Sequence, residues 1–107
     1  MMKKQYKYIY TVSTLFIDEN IPLSKFQDHK TRTWGFYFSL DDAIKGMHRN
    51  VDSECGYYSH VVIERYSPGI YSVANFEKWF VFNKESDILV PCEKPEHVKR
   101  LINFGIG

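Results

Sequence analysis

Alternation of apolar and polar side chains along the chain predicts four or five β-strands. Within the candidate strands, tyrosine, phenylalanine, valine, isoleucine and threonine dominate, and these residues favour extended structure. The candidates cover residues 7–12, 32–39, 57–66, 76–83 and 88–90. In the second of them, a period of two places Trp34, Phe36 and Phe38 on one face and Tyr37 on the other. The last two flank the polar stretch KESD, which indicates a hairpin.

A spacing of three and four residues between apolar positions predicts two helices. The first begins after Ser39, whose hydroxyl can cap the exposed N–H groups of the first turn, and ends near Asn50. Its apolar stripe consists of Leu40, Ala43, Ile44, Met47 and Val51. The second begins at Pro95, which suits the first helical position, and ends at Gly105. Its stripe consists of Val98, Leu101 and Ile102.

The order of these elements determines the expected fold. A strand pair, a helix, three further strands and a second helix indicate an α+β fold. We expect a mainly antiparallel sheet of four to five strands with two helices on one face. The length of 107 residues suffices for one hydrophobic core, so we expect a single α+β domain over residues 1–107. Because a chain of this size gains burial by association, we also expect a homo-oligomer.

Composition and charge limit the partners that the chain can bind. Lysine and arginine number 14 against 13 aspartate and glutamate residues, which gives a formal net charge of +1. This balance excludes the broad electrostatic attraction of a general nucleic-acid or membrane-surface binder. The N-terminal stretch MMKKQYKYIY carries no long apolar run. We therefore expect neither an export signal nor a membrane span, and a cytoplasmic location.

Metal and cofactor chemistry have no signature in the sequence. Cys55 and Cys92 lack a C-x-x-C partner, and the four histidines show no spacing typical of a zinc site. We therefore expect no metal site, no cofactor and reduced cysteines. No catalytic motif is present either, so a non-enzymatic role is the favoured expectation.

The candidate binding site combines arginine with aromatic side chains, because arginine can grip a phosphate and aromatic rings can stack on a base. Its predicted ligand-binding residues are Arg32, Trp34, Tyr37, Tyr57, Tyr58, His60, Lys45 and Arg49. Most of them have a plainer explanation: Trp34 as core, Arg32 as a solvated charge at the strand end, the tyrosines as interface, and Lys45 with Arg49 as a solvated helix face.

Four blocks of sequence, RTWGFYFSLDDAI, ECGYYSHVVIERYSPGIY, EKWFVFN and EKPEHVKRLINFGIG, follow one another over about residues 31–107. Together they resemble a group of small uncharacterised proteins encoded by low-GC Gram-positive bacteria and their phages. The resemblance implies no particular activity and assigns no site residue. Because short phage proteins without enzyme motifs often neutralise a component of host defence, it implies a counter-defence role by analogy.

Three functional hypotheses follow from these patterns. The leading one is a non-enzymatic binding module that sequesters a small anionic, nucleotide-derived signal at the candidate site. The first alternative is a protein–protein inhibitor or adaptor acting on a host protein, with Trp79 and Tyr71 as interface anchors. The second is a small phosphodiesterase-like hydrolase, in which His60 or His48 acts with a carboxylate.

Overall fold

A computed structural model describes residues 8–17, 20, 31–49, 58–69 and 72–105 of the chain. These residues form five strands and one α-helix. The elements in chain order are β1 (Ile9–Leu15), β2 (Thr31–Tyr37), α1 (Leu40–Arg49), β3 (His60–Tyr66), β4 (Phe76–Asn83) and β5 (Ile88–Cys92). One 3₁₀ turn, Glu96–Val98, follows β5.

The strands form one five-stranded sheet in the order β2-β1-β3-β4-β5, and every neighbouring pair is antiparallel. This confirms the predicted α+β fold with an antiparallel sheet. β3 is the central strand of the sheet. Its apolar run Val61–Ile63 is buried, and such a run suits a strand that is covered on both faces. β2 and β5 are the two edge strands.

Helix α1 covers one side of the sheet, which we call the α1 face. The Ser39 Oγ accepts a hydrogen bond from the N–H of Asp42 at 3.1 Å, which confirms the predicted N-cap. Ala43 and Met47, on the side of α1 that faces the sheet, are fully buried. The strand residues buried with them are Val12, Val61, Ile63, Phe80 and Leu89.

A β-bulge in β2 changes which of its side chains share a face. Two consecutive residues of β1 pair with Gly35 and Thr33, so Trp34 between them is an extra residue. Trp34 and Tyr37 consequently both pack on the α1 face, whereas Phe36 lies on the opposite face. The prediction that Trp34 and Phe36 share a face is therefore wrong, because the period of two does not hold across a bulge.

The predicted second helix is not present. Residues 93–105, which we call the C-terminal segment, contain only the single 3₁₀ turn and are otherwise irregular. The segment packs Val98, Leu101 and Phe104 against Leu15 and the side chains around it, on the face opposite α1. The prediction of two helices on one face is wrong in this respect. Glu64 of β3 accepts two backbone N–H groups of this segment, and Lys94 within the segment donates to the Leu101 carbonyl oxygen, so these bonds take the place of helical ones.

Candidate functional site

The structure brings part of the predicted site together on the α1 face. Trp34 and Tyr58 contact each other edge to face, with ring centroids 6.1 Å apart. Tyr58 also packs on Phe82 at 5.9 Å and is almost fully buried. Two of the predicted ligand-binding aromatics therefore belong to the core of the domain. The indole Nε1 of Trp34 is buried and has no hydrogen-bond partner among the described residues.

Arg32 and Tyr37 lie on either side of this pair along β2. Arg32 is exposed, and its carbonyl oxygen accepts a hydrogen bond from the Thr14 hydroxyl at 3.3 Å. Tyr37 packs with its hydroxyl directly against Gly46 of α1, so closely that any side chain at position 46 would overlap it. Tyr37 thus fixes the helix on the sheet, and Arg32 is the exposed member of this group.

His60 lies on the opposite face of the sheet, away from Trp34 and Tyr58. Its ring contacts Trp79 edge to face at 6.4 Å, and its Nδ1 is 2.8 Å from the Ser59 Oγ. The same Ser59 oxygen accepts the N–H of Ile17 at 2.9 Å. Burial lowers the pKa of His60 from the ordinary value of 6.5. Ser59 therefore links the His60 ring to the chain that follows β1. The hydrogen-bonded neighbour of the ring is a serine instead of a carboxylate.

The remaining predicted residues give no further support to one shared site. Lys45 and Arg49 are exposed on α1, and the Lys45 Nζ pairs with Asp41 one turn earlier at 2.9 Å. The hydrogen bond to Asp41 raises the pKa of Lys45. Tyr57 lies outside the described residues, as does Tyr71.

A fully buried carboxylate, that of Glu64, holds the C-terminal segment. The Glu64 Oε1 accepts the N–H of Gly105 at 2.9 Å and the Tyr66 hydroxyl at 3.1 Å, while its Oε2 accepts the N–H of Asn103 at 2.7 Å. Burial raises the pKa of Glu64, although these hydrogen bonds act in the opposite direction. A lone glutamate inside the apolar run of a central strand was the available signal.

Gly105 sits so close to the sheet that a side chain at this position would overlap Thr11. Asn103 adopts a left-handed backbone conformation, with φ of 64°, where the segment turns towards Glu64. The Glu64 carboxylate is therefore enclosed by its own chain, so the structure gives it a structural role rather than an acid–base one.

A second carboxylate, Glu77, is the register partner of Glu64 on β4. It pairs with Lys94 at 3.1 Å and accepts the indole N–H of Trp79 at 2.9 Å. The Lys94 Nζ also donates to the carbonyl oxygen of Leu101. Backbone N–H groups thus stabilise Glu64, and the ammonium of Lys94 stabilises Glu77. Without these partners, repulsion between two facing carboxylates would destabilise the strand pair.

The ion pair borders a shallow groove of about 490 Å³. The groove is lined by Glu77, Lys78, Trp79, Cys92, Glu93 and Lys94. Trp79 itself is only 3% exposed and lies beneath the Phe104 ring, whose centroid is 5.5 Å away. The prediction of Trp79 as an interface anchor is therefore wrong. Burial also raises the pKa of the Cys92 thiol, which disfavours the reactive thiolate.

The largest exposed aromatic surface of the described chain is at the end of β2. Phe36 is 60% exposed and Phe38 is 48% exposed, and their rings meet edge to face at 5.8 Å. Sequence analysis assigned both to an apolar strand face. The bulge and the edge position of β2 place them instead where solvent reaches them.

The two edges of the sheet differ in how open they are to another strand. β5 carries the exposed Pro91, which has no N–H to donate, and such a residue discourages strand addition. β2 has seven residues, no proline and one charged residue, Arg32. In the described part of the chain, β2 pairs with β1 alone.

The described residues contain neither a metal-binding cluster nor a membrane-spanning helix. These residues contain no group of three or more histidine, cysteine, aspartate or glutamate side chains placed to hold a metal ion. Nor do they contain a helix with the length and apolar character needed to cross a membrane.

Comparison of the chain with protein-family models, with curated proteins and with solved structures gives no match.

Proposed function

We propose that the protein is a non-enzymatic binding module that docks an extended segment of a partner protein along β2. Phe36 and Phe38 are the side-chain anchors of this interaction. The single observation that carries the proposal is the exposure of this edge-to-face pair at the end of an edge strand, with Phe36 in β2 and Phe38 just beyond it. Strand addition to an open edge supplies main-chain hydrogen bonds, and apolar side chains beside the edge supply selectivity.

The state of the other reactive groups supports binding over catalysis. Glu64 and Glu77 hold the C-terminal segment, and the contacts of His60 are with Ser59 and Trp79. A general acid or base must reach a substrate proton, and a carboxylate enclosed by backbone cannot do so. A hydrolase acting through His60 or His48 would therefore need a carboxylate other than Glu64.

The edge strand β2 determines which kinds of partner can dock, because the partner must supply an extended segment. A second copy of the chain can pair β2 with β2 about a two-fold axis, and this would give the expected homo-oligomer. A host protein with an exposed strand can occupy the same edge. The resemblance to phage-encoded proteins extends the proposal to a component of host defence.

Substitution of the two phenylalanines tests the proposal. Affinity purification from the natural host and light scattering of the purified protein are carried out with the native chain and with Phe36→Ser/Phe38→Ser. We expect the partner, whether a host protein or a second copy, to be lost in the double variant. The control is Ile88→Ser, which removes an apolar side chain that is 50% exposed on the other edge strand, β5.

Equal recovery of the partner by the native chain and both variants would refute docking on β2. A strictly monomeric protein that retains no partner would refute it as well. Circular dichroism of each variant shows whether the sheet is intact before its binding is interpreted.

The second candidate function is sequestration of an anionic, nucleotide-derived signal. The exposed Arg32, two residues from the Trp34–Tyr58 contact on the same face, favours it. Calorimetry with cyclic nucleotides and ADP-ribose tests this candidate, and binding that is lost in Arg32→Gln would support it. Absence of binding to every compound would leave β2 docking as the remaining proposal.

A further inference from the structure

The C-terminal segment crosses the face opposite α1 without forming a strand of the sheet or a helix of its own. Within residues 93–105, the one regular element is the 3₁₀ turn Glu96–Val98. The segment is therefore not held by the kind of backbone ladder that joins each strand to its neighbours. It is held by separate contacts, which can be lost while the five strands stay paired.

The contacts at the end of the segment converge on the carboxylate of Glu64. It accepts the N–H groups of Asn103 and Gly105 at 2.7 and 2.9 Å. Asn103 adopts a left-handed conformation, with φ of 64°, at the point where these groups turn towards the carboxylate. Such a conformation is unfavourable for a residue with a side chain, even for asparagine, which tolerates it better than most. Release of the segment therefore relieves backbone strain.

The start of the segment has its own attachment, through Lys94. The Lys94 Nζ pairs with Glu77 of β4 at 3.1 Å and donates to the carbonyl oxygen of Leu101. Val98, in the 3₁₀ turn, is fully buried, and the Phe104 ring covers Trp79. The segment is thus attached near both of its ends, with apolar contacts beneath it.

The surface beneath the segment is partly polar. Its buried side chains include two hydroxyls and a carboxylate beside the apolar ones: Thr11, Ser13, Glu64, Leu15, Val62 and Trp79. On the α1 face, Thr14 is the one polar strand side chain that is buried among the described residues. Hydroxyls and carboxylates gain hydrogen bonds to water when they are uncovered. Exposure of this surface therefore costs less free energy than exposure of a wholly apolar surface of equal area.

We propose that the C-terminal segment acts as a strap, which opens from the sheet as one unit while α1 and the five strands stay in place. Opening uncovers Trp79 and the Glu64 carboxylate together. It also uncovers Thr11, which lies against Gly105 and is the register partner of Phe36 on β2. The strap does not depend on partner docking on β2, and either proposal can hold without the other.

Native-state hydrogen exchange of the full chain, followed by amide NMR in low concentrations of urea, tests the proposal. The reporters are the amides of Leu101, Asn103 and Gly105, which donate to Val98 or to Glu64. The reference is the set of protected amides of the central strand β3. We expect the three reporters to share one opening free energy, to exchange about tenfold or more faster than the reference, and to depend less on urea.

Two glycine variants separate opening of the strap from unfolding of the whole domain. In Gly105→Ala, the added methyl group overlaps Thr11 beneath the segment; in Gly46→Ala, it overlaps Tyr37 on the other face. Gly105→Ala destabilises only the closed strap, so we expect it to speed exchange of the Leu101 and Asn103 amides about tenfold. Gly46→Ala destabilises the closed and open states alike. We expect it to speed exchange in β3 and to leave the segment amides within about twofold of their native rates.

The two tryptophans give a second readout, because Trp79 lies beneath the segment and Trp34 packs on the α1 face. With 5-fluorotryptophan in both positions, we expect Gly105→Ala to shift the fluorine resonance of Trp79 towards that of an exposed ring and to leave that of Trp34 in place.

Equal opening free energies for the segment and β3 amides in the native chain would overturn the proposal, since the segment would then open only by global unfolding. Unrelated opening free energies at Leu101, Asn103 and Gly105 would overturn it too, because they would indicate fraying residue by residue. Both results come from the native chain, so they decide the question even if a variant fails to fold.

Discussion

At the scale of single residues, Glu64 stands out because its side chain is both fully buried and ionisable. Its carboxylate joins the central strand to the end of the C-terminal segment. Burial raises its pKa above the ordinary value of 4.5, so folding favours the protonated carboxyl group.

The consequence is a pH dependence of stability with a defined sign. The favourable contribution of a protonated Glu64 is fully present below pH 4.5 and is lost as the pH rises through the folded-state pKa. We predict that the free energy of unfolding of the native chain, minus that of Glu64→Gln, falls as the pH rises above 4.5. Urea denaturation of both proteins at a series of pH values measures this difference in the free energy of unfolding. A difference that stays constant or increases with pH would contradict the assignment.

His60 gives the opposite dependence at higher pH. Because burial lowers its pKa below 6.5, its contribution to stability is present above pH 6.5 and is lost as the pH falls through the folded-state value. We predict that NMR titration of the His60 ring gives a midpoint below 6.5. A midpoint at or above 6.5 would show that the ring is solvated or paired with a negative charge.

Much of the residue-scale pattern could be predicted from the sequence. Ser39 as a helix cap and the apolar stripe of α1 follow from local spacing; the structure confirms the cap and the burial of Ala43 and Met47, while Val51 lies outside the described residues. The exposure of Phe36 could not be predicted, because a bulge is a property of the pairing between two strands. The cation–π contacts of Arg65 depend on the order of strands in the sheet, which one sequence does not reveal.

At the scale of elements, the contact between α1 and β2 depends on a glycine. Gly46 lies against the Tyr37 hydroxyl, so an added methyl group must displace the tyrosine or the helix. We predict that Gly46→Ala lowers the free energy of unfolding by about 1–2 kcal/mol, because overpacking outweighs the gain in helix propensity. Thermal denaturation measures the loss.

The matched control is Gly35→Ala in β2, where an added methyl group meets nothing within 4 Å. We expect its stability to be unchanged or slightly raised, since alanine restricts the unfolded chain. Equal losses in both variants would mean that the Tyr37 contact is not the cause.

The C-terminal segment is the other element whose attachment can be tested. Lys94 is about one-fifth exposed and donates to both Glu77 and Leu101. We predict that Lys94→Met lowers the free energy of unfolding by about 1.5–3 kcal/mol, the usual cost of losing a charged hydrogen bond. Lys99→Met removes the exposed pair with Glu96 and should change it by less than about 0.5 kcal/mol. Similar losses in the two variants would argue against Lys94 as the anchor of the segment.

This segment also shows where local sequence patterns fail. The proline at position 95 and the spacing of Val98, Leu101 and Ile102 favour a helix in isolation. In the folded chain, Glu64 of the sheet and Lys94 of the segment itself bond to the backbone of the segment, and these bonds replace those of a helix. Tertiary contacts of this kind override local preference.

At the scale of the whole molecule, the two edge strands of the described sheet differ, because among the described residues β2 pairs with β1 alone and β5 carries a proline. Pro91 lies within β5, while β2 is longer and ends at the edge-to-face pair of Phe36 and Phe38. The reactive side chains of the opposite face hold the C-terminal segment in place. These features together support the proposal of partner docking on β2.

The most direct test of partner docking on β2 is site-specific photocrosslinking in the natural host, with benzoylphenylalanine in place of Phe36 or, as the control, Ile88. Both positions are at least half exposed, so the reagent is equally accessible at each. Mass spectrometry then identifies the attached polypeptide and the residue that reacted. Docking on β2 predicts one defined adduct from position 36, to a second copy or to a host protein, and none from position 88. The absence of an adduct at position 36, or the same mixture of adducts from both positions, would contradict it.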